Sequence, residues 1–177
     1  MIKFEKISFQ EYYNYYKKVQ AEAQDKYGIW YDVDPETLHE EWEAIKLPQR
    51  STEGSAGYDF FAPYKMVFDR YDSRFQTFPT GIRFVTDRDD IFLMCVPRSG
   101  LGFKAQMRLA NTCGIIDSDY CQSDNEGHII AKFTTNEDCV VEQGKAFMQG
   151  IIVPFFKTDD DKSTEKRNGG FGSTDRR

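Results

Sequence analysis

The sequence predicts an all-β domain that follows a helical N-terminal segment and precedes a polar C-terminal arm. From about residue 55, β-rich runs such as GIRFVTD and IFLMCVP alternate with turn residues, and no helical pattern is evident beyond Pro48. Short strands at this spacing are typical of a β-sandwich or barrel. The 177 residues are enough for one domain with a sizeable core.

The first 48 residues carry a helical pattern. Ser8 followed by Glu11 forms a capping box, apolar and aromatic residues then recur at helical spacing, and Gly28 is a typical helix end. A second helix is predicted to begin at Pro35 and to end before the next proline. The aromatic stripe is expected to dock onto the domain's own surface, with a partner site as the alternative. We therefore predict residues 1–48 as an N-terminal helical extension that is dispensable for chemistry.

The rest of the chain divides at about residue 157. Residues 49–157 are predicted to form the β domain, and the polar residues 158–177 a flexible C-terminal arm that contains NGGFGST. Glycines allow the backbone to close over phosphates, hydroxyls can donate to them, and Phe171 can stack on a ring. The alternative for this stretch is a frayed tail with an incidental aromatic residue.

Composition narrows the possible partners. The net charge is −6 and the pI is about 5.0, which argues against a general binder of nucleic acid or of membrane surfaces, because both need a basic face. No apolar leader or bilayer-spanning run is visible, so a soluble, intracellular and cytoplasmic protein is expected, with the nucleus not excluded. The four cysteines form no CxxC pair and the two histidines are far apart, so a structural zinc site is not expected.

Four short stretches of the β-rich region place polar residues beside glycines. SAGYDFFA contains Asp59, and PRSGLGFK places Arg98 and Ser99 before a glycine turn. NTCGIIDSDY holds two acidic residues and a tyrosine around a tight turn, and GKAFMQG places Gln149 on a strand. A cation, a hydroxyl and backbone N–H groups at one turn can cradle a phosphate. Each stretch also has a structural explanation, such as Asp59 capping a turn or pairing with Arg98.

Taken in order and together with GGFGST, these stretches resemble the five motifs of the homotrimeric dUTPases, which hydrolyse dUTP to dUMP and pyrophosphate. The resemblance covers roughly residues 55–175 and leaves the N-terminal helical region outside. It implies a dUTPase-like jelly-roll (β-clip) barrel with Mg²⁺ as the cofactor. It also implies a homotrimer in which each site takes its phosphate cradle, its hairpin and its lid from three subunits.

The resemblance assigns catalytic roles to Asp117, Asp59 and Arg98. Asp117 is implied to act as the base, or orienter, of the water that attacks the α-phosphate, since a carboxylate can accept its proton. Asp59 is implied to organise the Mg²⁺ environment, directly or by fixing Arg98, while the phosphates hold most of the ion's contacts. Tyr120 is implied to pack on the deoxyribose and to exclude a 2′-hydroxyl.

The implied substrate contacts form three groups. Asn111 and the hairpin backbone at Gly114 and Ile116 read the uracil, in a hairpin too narrow for the methyl group of thymine. The glycine turn and a neighbouring strand hold the phosphates, and the arm closes over uracil and the γ-phosphate. The complete set of implied substrate-binding residues is Ser99, Gly100, Asn111, Gly114, Ile116, Tyr120, Gln149, Lys166, Arg167, Phe171, Gly172, Ser173 and Thr174.

Three positions depart from the family pattern. The loop CQSDNE (121–126) separates Tyr120 from the next glycine, where the family usually has one residue, and this longer loop can alter specificity or bind a partner. Ala146 stands at a customary arginine position. Lys166, with Arg167 beside it, stands where the arm usually carries an arginine, and a lysine lacks the bidentate fork of that residue.

Two alternatives to a simple dUTPase stay open. EGHI (126–129) resembles the hairpin exit of the related dCTP deaminases, but those enzymes need a glutamate on the following strand, where this chain has Lys132. Some phage-type dUTPases act as regulators that bind another protein. The N-terminal region and the loop after Tyr120 are the expected surfaces for such a partner.

Overall fold

The computed structural model describes residues 1–71 and 75–164, which form three helices and twelve strands. The helices are α1 (Phe9–Tyr27), α2 (Pro35–Ala44) and α3 (Ser99–Ala105). The strands are β1 (Ile2–Lys6), β2 (Gln49–Arg50), β3 (Gly57–Phe61), β4 (Met66–Phe68), β5 (Gln76–Pro79), β6 (Ile82–Thr86), β7 (Ile91–Pro97), β8 (Arg108–Leu109), β9 (Gly114–Asp117), β10 (Ile130–Thr134), β11 (Cys139–Val141) and β12 (Ala146–Pro154). A short 3-10 turn spans Tyr120–Gln122.

The strands form four antiparallel sheets within the described ranges. The largest has the order β2-β3-β12-β7-β9, a second has the order β5-β10-β8, and two-stranded sheets pair β1 with β6 and β4 with β11. Side chains of β7 alternate between buried and partly exposed, with Leu93 fully buried, as expected for a strand with one face on the core. Aromatic side chains, among them Phe60, Phe133 and Phe147, fill the space between the sheets. The predicted all-β fold is confirmed.

Both predicted N-terminal helices are present. The Ser8 side chain caps α1 by accepting a hydrogen bond from the Glu11 N–H, and Gly28 ends the helix in the left-handed conformation at φ 65°. Asp34 caps α2, with Pro35 at its first position. These local signals lie within one helical turn of each boundary, which is why the sequence alone could locate them.

The N-terminal segment begins with a strand that the sequence analysis did not predict. β1 pairs along its whole length with β6, from Ile2 opposite Thr86 to Lys6 opposite Ile82. Phe4 on β1 packs its ring against Phe60, at a centroid distance of 5.6 Å. The alternating pattern of IKFEK suits this edge position, but its partner lies about 80 residues away in the chain.

The aromatic stripe of the two helices docks onto the domain, as expected. Tyr12 is fully buried and Ile7 nearly so, and both belong to the same core as the β-strands. Leu38 and Ile45 bring α2 into this core. Since the segment supplies core side chains, its loss is expected to reduce stability. That it is dispensable for chemistry stays a prediction. The domain boundary at residue 48 stays a prediction.

The stretch PRSGLGFK forms helix α3 rather than an open glycine turn. Arg98 precedes the helix, and its carbonyl oxygen accepts hydrogen bonds from the N–H groups of Leu101 and Gly102. Glycine has a low helix propensity, which hid this element in the sequence. Tertiary contacts compensate, because the Ala105 carbonyl accepts from the Asn136 N–H. The expectation that no helix follows Pro48 is therefore wrong.

The cysteines are free thiols, as expected. Cys95 is buried, which raises the pKa of its thiol to about 12, whereas Cys113 is only partly buried. Among the described residues, none of the helices combines the length and the apolar character that crossing a bilayer requires.

Candidate active site

Three of the predicted site residues meet where β3, β12 and β7 run side by side. Asp59 on β3 lies opposite Gln149 on β12, which in turn lies opposite Val96 on β7. Arg98 follows the end of β7, and its Nε is 3.2 Å from Asp59 Oδ1. Gln149 Nε2 donates to the same carboxylate oxygen at 3.2 Å. We call Asp59, Arg98 and Gln149 the carboxylate cluster.

The Asp59 carboxylate is fully engaged by protein groups. Its side chain is almost completely buried, and Ser51 Oγ donates to Oδ2 at 2.7 Å. The other oxygen accepts from both Arg98 and Gln149, so each oxygen already has a partner. A buried carboxylate needs such partners to offset its desolvation. This arrangement suits a residue that orients the partly exposed Arg98 side chain.

Ser99 and Gly100 lie exposed in the first turn of α3, directly after Arg98. The Arg98 N–H donates to the Phe147 carbonyl oxygen at 3.1 Å, which fixes this turn against β12. The predicted phosphate cradle is therefore built from the end of a strand and the start of a helix. Its hydroxyl and backbone face solvent beside the carboxylate cluster.

A second group of predicted residues lines a cavity of about 390 Å³. This volume is within the usual range for small-molecule sites. The cavity lies between β9, β10 and the segment before β9, and we call it the hairpin cavity. Four of the predicted residues line it: Asn111, Gly114, Ile116 and Tyr120. The other lining residues are Cys95, Leu109, Ala110, Ile115, Ile129, Ile130, Ala131, Lys132 and Met148.

Tyr120 forms a nearly buried wall of the hairpin cavity, with 7% of its surface exposed. Its hydroxyl donates to the His128 carbonyl oxygen at 3.1 Å and accepts from Asn125 Nδ2 at 3.0 Å. Both polar contacts come from the loop and the strand entry that follow Tyr120. The ring is thereby fixed from its hydroxyl end, and its position depends on that loop.

Asp117 ends β9 beside the hairpin cavity and is partly buried. It lies opposite Phe92 at the start of β7, whereas Arg98 follows the other end of the same strand. The six residue steps from Phe92 to Arg98 extend about 20 Å at about 3.3 Å each. Within one chain, Asp117 and the carboxylate cluster therefore lie at opposite ends of β7.

Six predicted site residues lie outside the described residues: Lys166, Arg167, Phe171, Gly172, Ser173 and Thr174. Within the described part, no group of three or more His, Cys, Asp or Glu side chains could hold a metal ion.

The structure adds residues that sequence reasoning missed. Ser51 binds Asp59, and no local pattern in QRSTEG marks it as a site residue. Asn125 binds Tyr120 from within the long loop, whose unusual length was the one visible signal. Lys132 lines the hairpin cavity. From sequence alone, its position on the strand after the hairpin indicates only a difference from the deaminases.

Comparison with known proteins settles the relationship. The family model described as dUTPase matches residues 43–175. The chain belongs to the dUTPase family. It is 38% identical over 135 residues to the deoxyuridine 5′-triphosphate nucleotidohydrolase of Lactococcus lactis, covering 73% of this chain and 88% of that protein. The Haemophilus influenzae enzyme of the same name is 34% identical over 133 residues, covering 71% of this chain and 85% of that protein.

Solved dUTPase structures confirm the fold. The dUTPase from Streptococcus mutans superposes with a TM-score of 0.57 at 32% identity, over 66% of this chain and 91% of that one. The dUTPase of S. aureus phage phi11, reported to coordinate a structural Mg(II) ion, has a TM-score of 0.55 at 17% identity. The match covers 70% of this chain and 92% of that one. Helix α1 lies outside the region that the family model matches.

Proposed function

We propose that this dUTPase hydrolyses dUTP to dUMP and pyrophosphate through Mg²⁺-assisted attack of water on the α-phosphate. The observation that carries the proposal is the hairpin cavity, which is lined by Asn111, Gly114, Ile116 and Tyr120 and has Asp117 at the end of the adjoining strand. The family membership of the chain and the names of its relatives support the same activity.

The hairpin cavity suits a uracil base. Its walls are mainly apolar, and a few polar groups at Asn111 and along β9 are available to read the edge of a pyrimidine. The ring of Tyr120 lines the cavity and is proposed to pack on the deoxyribose and exclude a 2′-hydroxyl. A β-strand backbone that approaches the base closely is also a barrier to a 5-methyl group. These features favour dUTP over UTP and dTTP.

Asp117 is proposed to orient the attacking water and to accept its proton. A carboxylate is suited to this task because it presents two acceptor oxygens. Its place at the end of β9 sets it beside the substrate that the cavity holds. Replacement by asparagine removes the acceptor of the proton while keeping the shape of the side chain.

The phosphates are proposed to bind at the cradle formed by Arg98, Ser99 and Gly100, with Gln149 beside it. Asp59 has no oxygen without a protein partner, so we assign it a positioning role toward Arg98 rather than direct coordination of metal. A Mg²⁺ ion bound to the triphosphate neutralises part of its charge and favours in-line attack.

The complete site is proposed to form between subunits of a homotrimer. Asp117 and Arg98 of one chain lie about 20 Å apart along β7, which is too far for one triphosphate to place its α-phosphate at both. Cyclic symmetry brings the two ends of neighbouring chains together in three equivalent sites. The arm residues Phe171, Gly172, Ser173 and Thr174, with Lys166 or Arg167, are proposed to complete each site as a lid.

The function is tested by incubating the protein with dUTP, dCTP, UTP and dTTP in the presence of Mg²⁺ and identifying the products. Efficient release of dUMP and pyrophosphate from dUTP alone is expected. Asp117→Asn is expected to lower kcat by orders of magnitude with little change in substrate binding, since proton acceptance matters in the transition state. Formation of dUMP from dCTP, or equal rates on UTP, contradicts the proposal. The deaminase alternative is disfavoured by Lys132, which lines the cavity where that chemistry needs a carboxylate.

A second role, binding of another protein, is favoured by one surface. Tyr27 ends α1, Ile29 and Trp30 follow it, and each of the three exposes more than half of its surface. Exposed aromatic clusters of this kind are typical of interaction sites. The test is Trp30→Ser, which should weaken capture of a purified candidate partner and leave dUTP turnover unchanged. Equal binding by the variant contradicts a partner at this surface.

A further inference from the structure

The long loop after Tyr120 is tied to the N-terminal helix. The Glu126 carboxylate accepts a hydrogen bond from the Ser8 N–H at 2.8 Å and another from Ser8 Oγ at 2.6 Å. The same Ser8 Oγ accepts from the Glu11 N–H at 3.1 Å. In a local capping box the glutamate three residues into the helix reaches back to the cap N–H. Here Glu126, which is 118 residues away in the chain, makes that contact.

The backbone of the loop is held in an uncommon conformation at this contact. Glu126 has φ 55°, in the left-handed region that costs a non-glycine residue free energy. Gly127 follows at φ 75°, and a Cβ there would lie 2.5 Å from Cys121 Cα and 2.9 Å from the Tyr120 carbonyl oxygen. The loop therefore folds back closely onto Tyr120. The two hydrogen bonds to Ser8 help to keep Glu126 in this conformation.

The other end of this connection reaches the wall of the substrate cavity. Asn125, which precedes Glu126, donates from its side-chain amide to the Tyr120 hydroxyl at 3.0 Å and accepts from the Gly127 N–H at 3.2 Å. The Tyr120 hydroxyl in turn donates to the His128 carbonyl oxygen. Two sets of hydrogen bonds, joined by the covalent link between Glu126 and Asn125, thus connect Ser8 at the start of α1 to the Tyr120 ring that lines the hairpin cavity.

Helix α1 contacts this assembly a second time. The His128 ring lies 6.1 Å from the Tyr12 ring and 5.6 Å from the Tyr15 ring, both on α1. Its Nε2 accepts the Gly81 N–H at 3.0 Å. Glu126 and His128 are therefore both held against α1. Because α1 lies outside the family-matched region, this support belongs to the chain's own N-terminal segment.

We propose that Glu126, bound to Ser8 at the start of α1, is a positioning residue that holds Tyr120 in place and so strengthens the discrimination of dUTP from UTP. The proposal rests on the proposed function, because it concerns the sugar contact of that reaction. A looser loop lets the Tyr120 ring move away from the sugar and makes room for a 2′-hydroxyl. Glu126 acts through Tyr120 and does not touch the substrate.

The test compares kcat and KM for dUTP and UTP in the wild type, Glu126→Ala and Ser8→Ala. The ratio of kcat/KM for dUTP to that for UTP is expected to fall roughly three- to tenfold in Glu126→Ala, the range that loss of a hydrogen bond predicts. Ser8→Ala keeps the N–H donor and is expected to show a smaller fall. The double variant is expected to match Glu126→Ala, since both changes remove one interaction.

The matched control is Glu142→Ala, which removes an exposed glutamate that pairs with Lys65 on another part of the surface. Its ratio is expected to equal that of the wild type. The ratio is independent of the fraction of folded enzyme, so a loss of folding cannot imitate the effect. Unchanged ratios in both Glu126→Ala and Ser8→Ala, or additive effects in the double variant, overturn the proposal. A wild type that does not cleave dUTP contradicts the proposed function itself.

Discussion

The buried His128 side chain makes the stability of this dUTPase sensitive to mild acid. The ring is completely inaccessible to solvent, and burial lowers its pKa from 6.5 to about 3. Nε2 accepts the Gly81 N–H, so the single ring proton is on Nδ1, and that atom has no hydrogen-bond partner among the described residues. Protonation of the folded state would add a charge in the core and break the bond to Gly81.

The sign and size of the effect follow from this lowered pKa. The unfolded chain binds a proton at His128 below pH 6.5, while the folded chain does not until about pH 3. The stability contribution is present above pH 6.5 and is lost as the pH falls toward 3. From about pH 8 to about pH 5, the free energy of unfolding should fall by about 2 kcal/mol on account of this residue.

The assay is urea unfolding of the wild type and His128→Gln at several pH values. The stability difference between them should shrink by about 2 kcal/mol over that range, because only the wild type carries the titrating ring. Burial also raises the pKa of Glu41, which has the opposite effect on stability, but Glu41 is present in both proteins and cancels in the difference. His39→Gln, at the exposed second histidine, is the matched control. A constant difference between wild type and His128→Gln refutes the reasoning.

Two further perturbations test the packing. Gly127→Ala places a methyl group 2.5 Å from the Cys121 backbone at φ 75° and should reduce stability by about 3 kcal/mol or more. Gly102→Ala, in open space on α3, should be neutral or slightly stabilising. Thermal melts of the two variants measure the difference. Equal melting temperatures for the two variants contradict this account. A chain that starts at residue 49 loses the fully buried Tyr12 and the β1–β6 pairing, so it should melt at a much lower temperature than the full chain. A truncated chain with wild-type melting behaviour is the contrary result.

The parts of the fold that could be predicted are those with local signals. Ser8 and Gly28 mark the ends of α1 because capping depends on residues within one turn. The pairing of Asp59 with Arg98, which the sequence suggested as one alternative, is present at 3.2 Å. The residues lining the hairpin cavity were found through the family motifs, since nothing in their spacing alone distinguishes a base site from an ordinary turn.

The parts that could not be predicted depend on distant partners. β1 is stabilised by β6, and neither strand contains a signal for the other. α3 forms despite two glycines because its ends are fixed by the surrounding strands. The contact of Glu126 with Ser8 joins residues 118 positions apart, so no sequence window contains both. Long-range contacts of this kind are set by the fold as a whole.

The central claim, that one substrate is held by the hairpin cavity of one chain and the carboxylate cluster of another, is tested by mixing two inactive variants. Asp117→Asn lacks the proposed water-orienting carboxylate, and Arg98→Ala lacks the proposed phosphate-binding cation, while each keeps the other group. After refolding in equal amounts, about one quarter of the sites should combine an intact Asp117 with an intact Arg98 from a neighbouring chain. Recovery of about one quarter of wild-type dUTP turnover is therefore the expected result. A mixture that stays as inactive as its parents, with subunit exchange verified by mass spectrometry, contradicts the shared site.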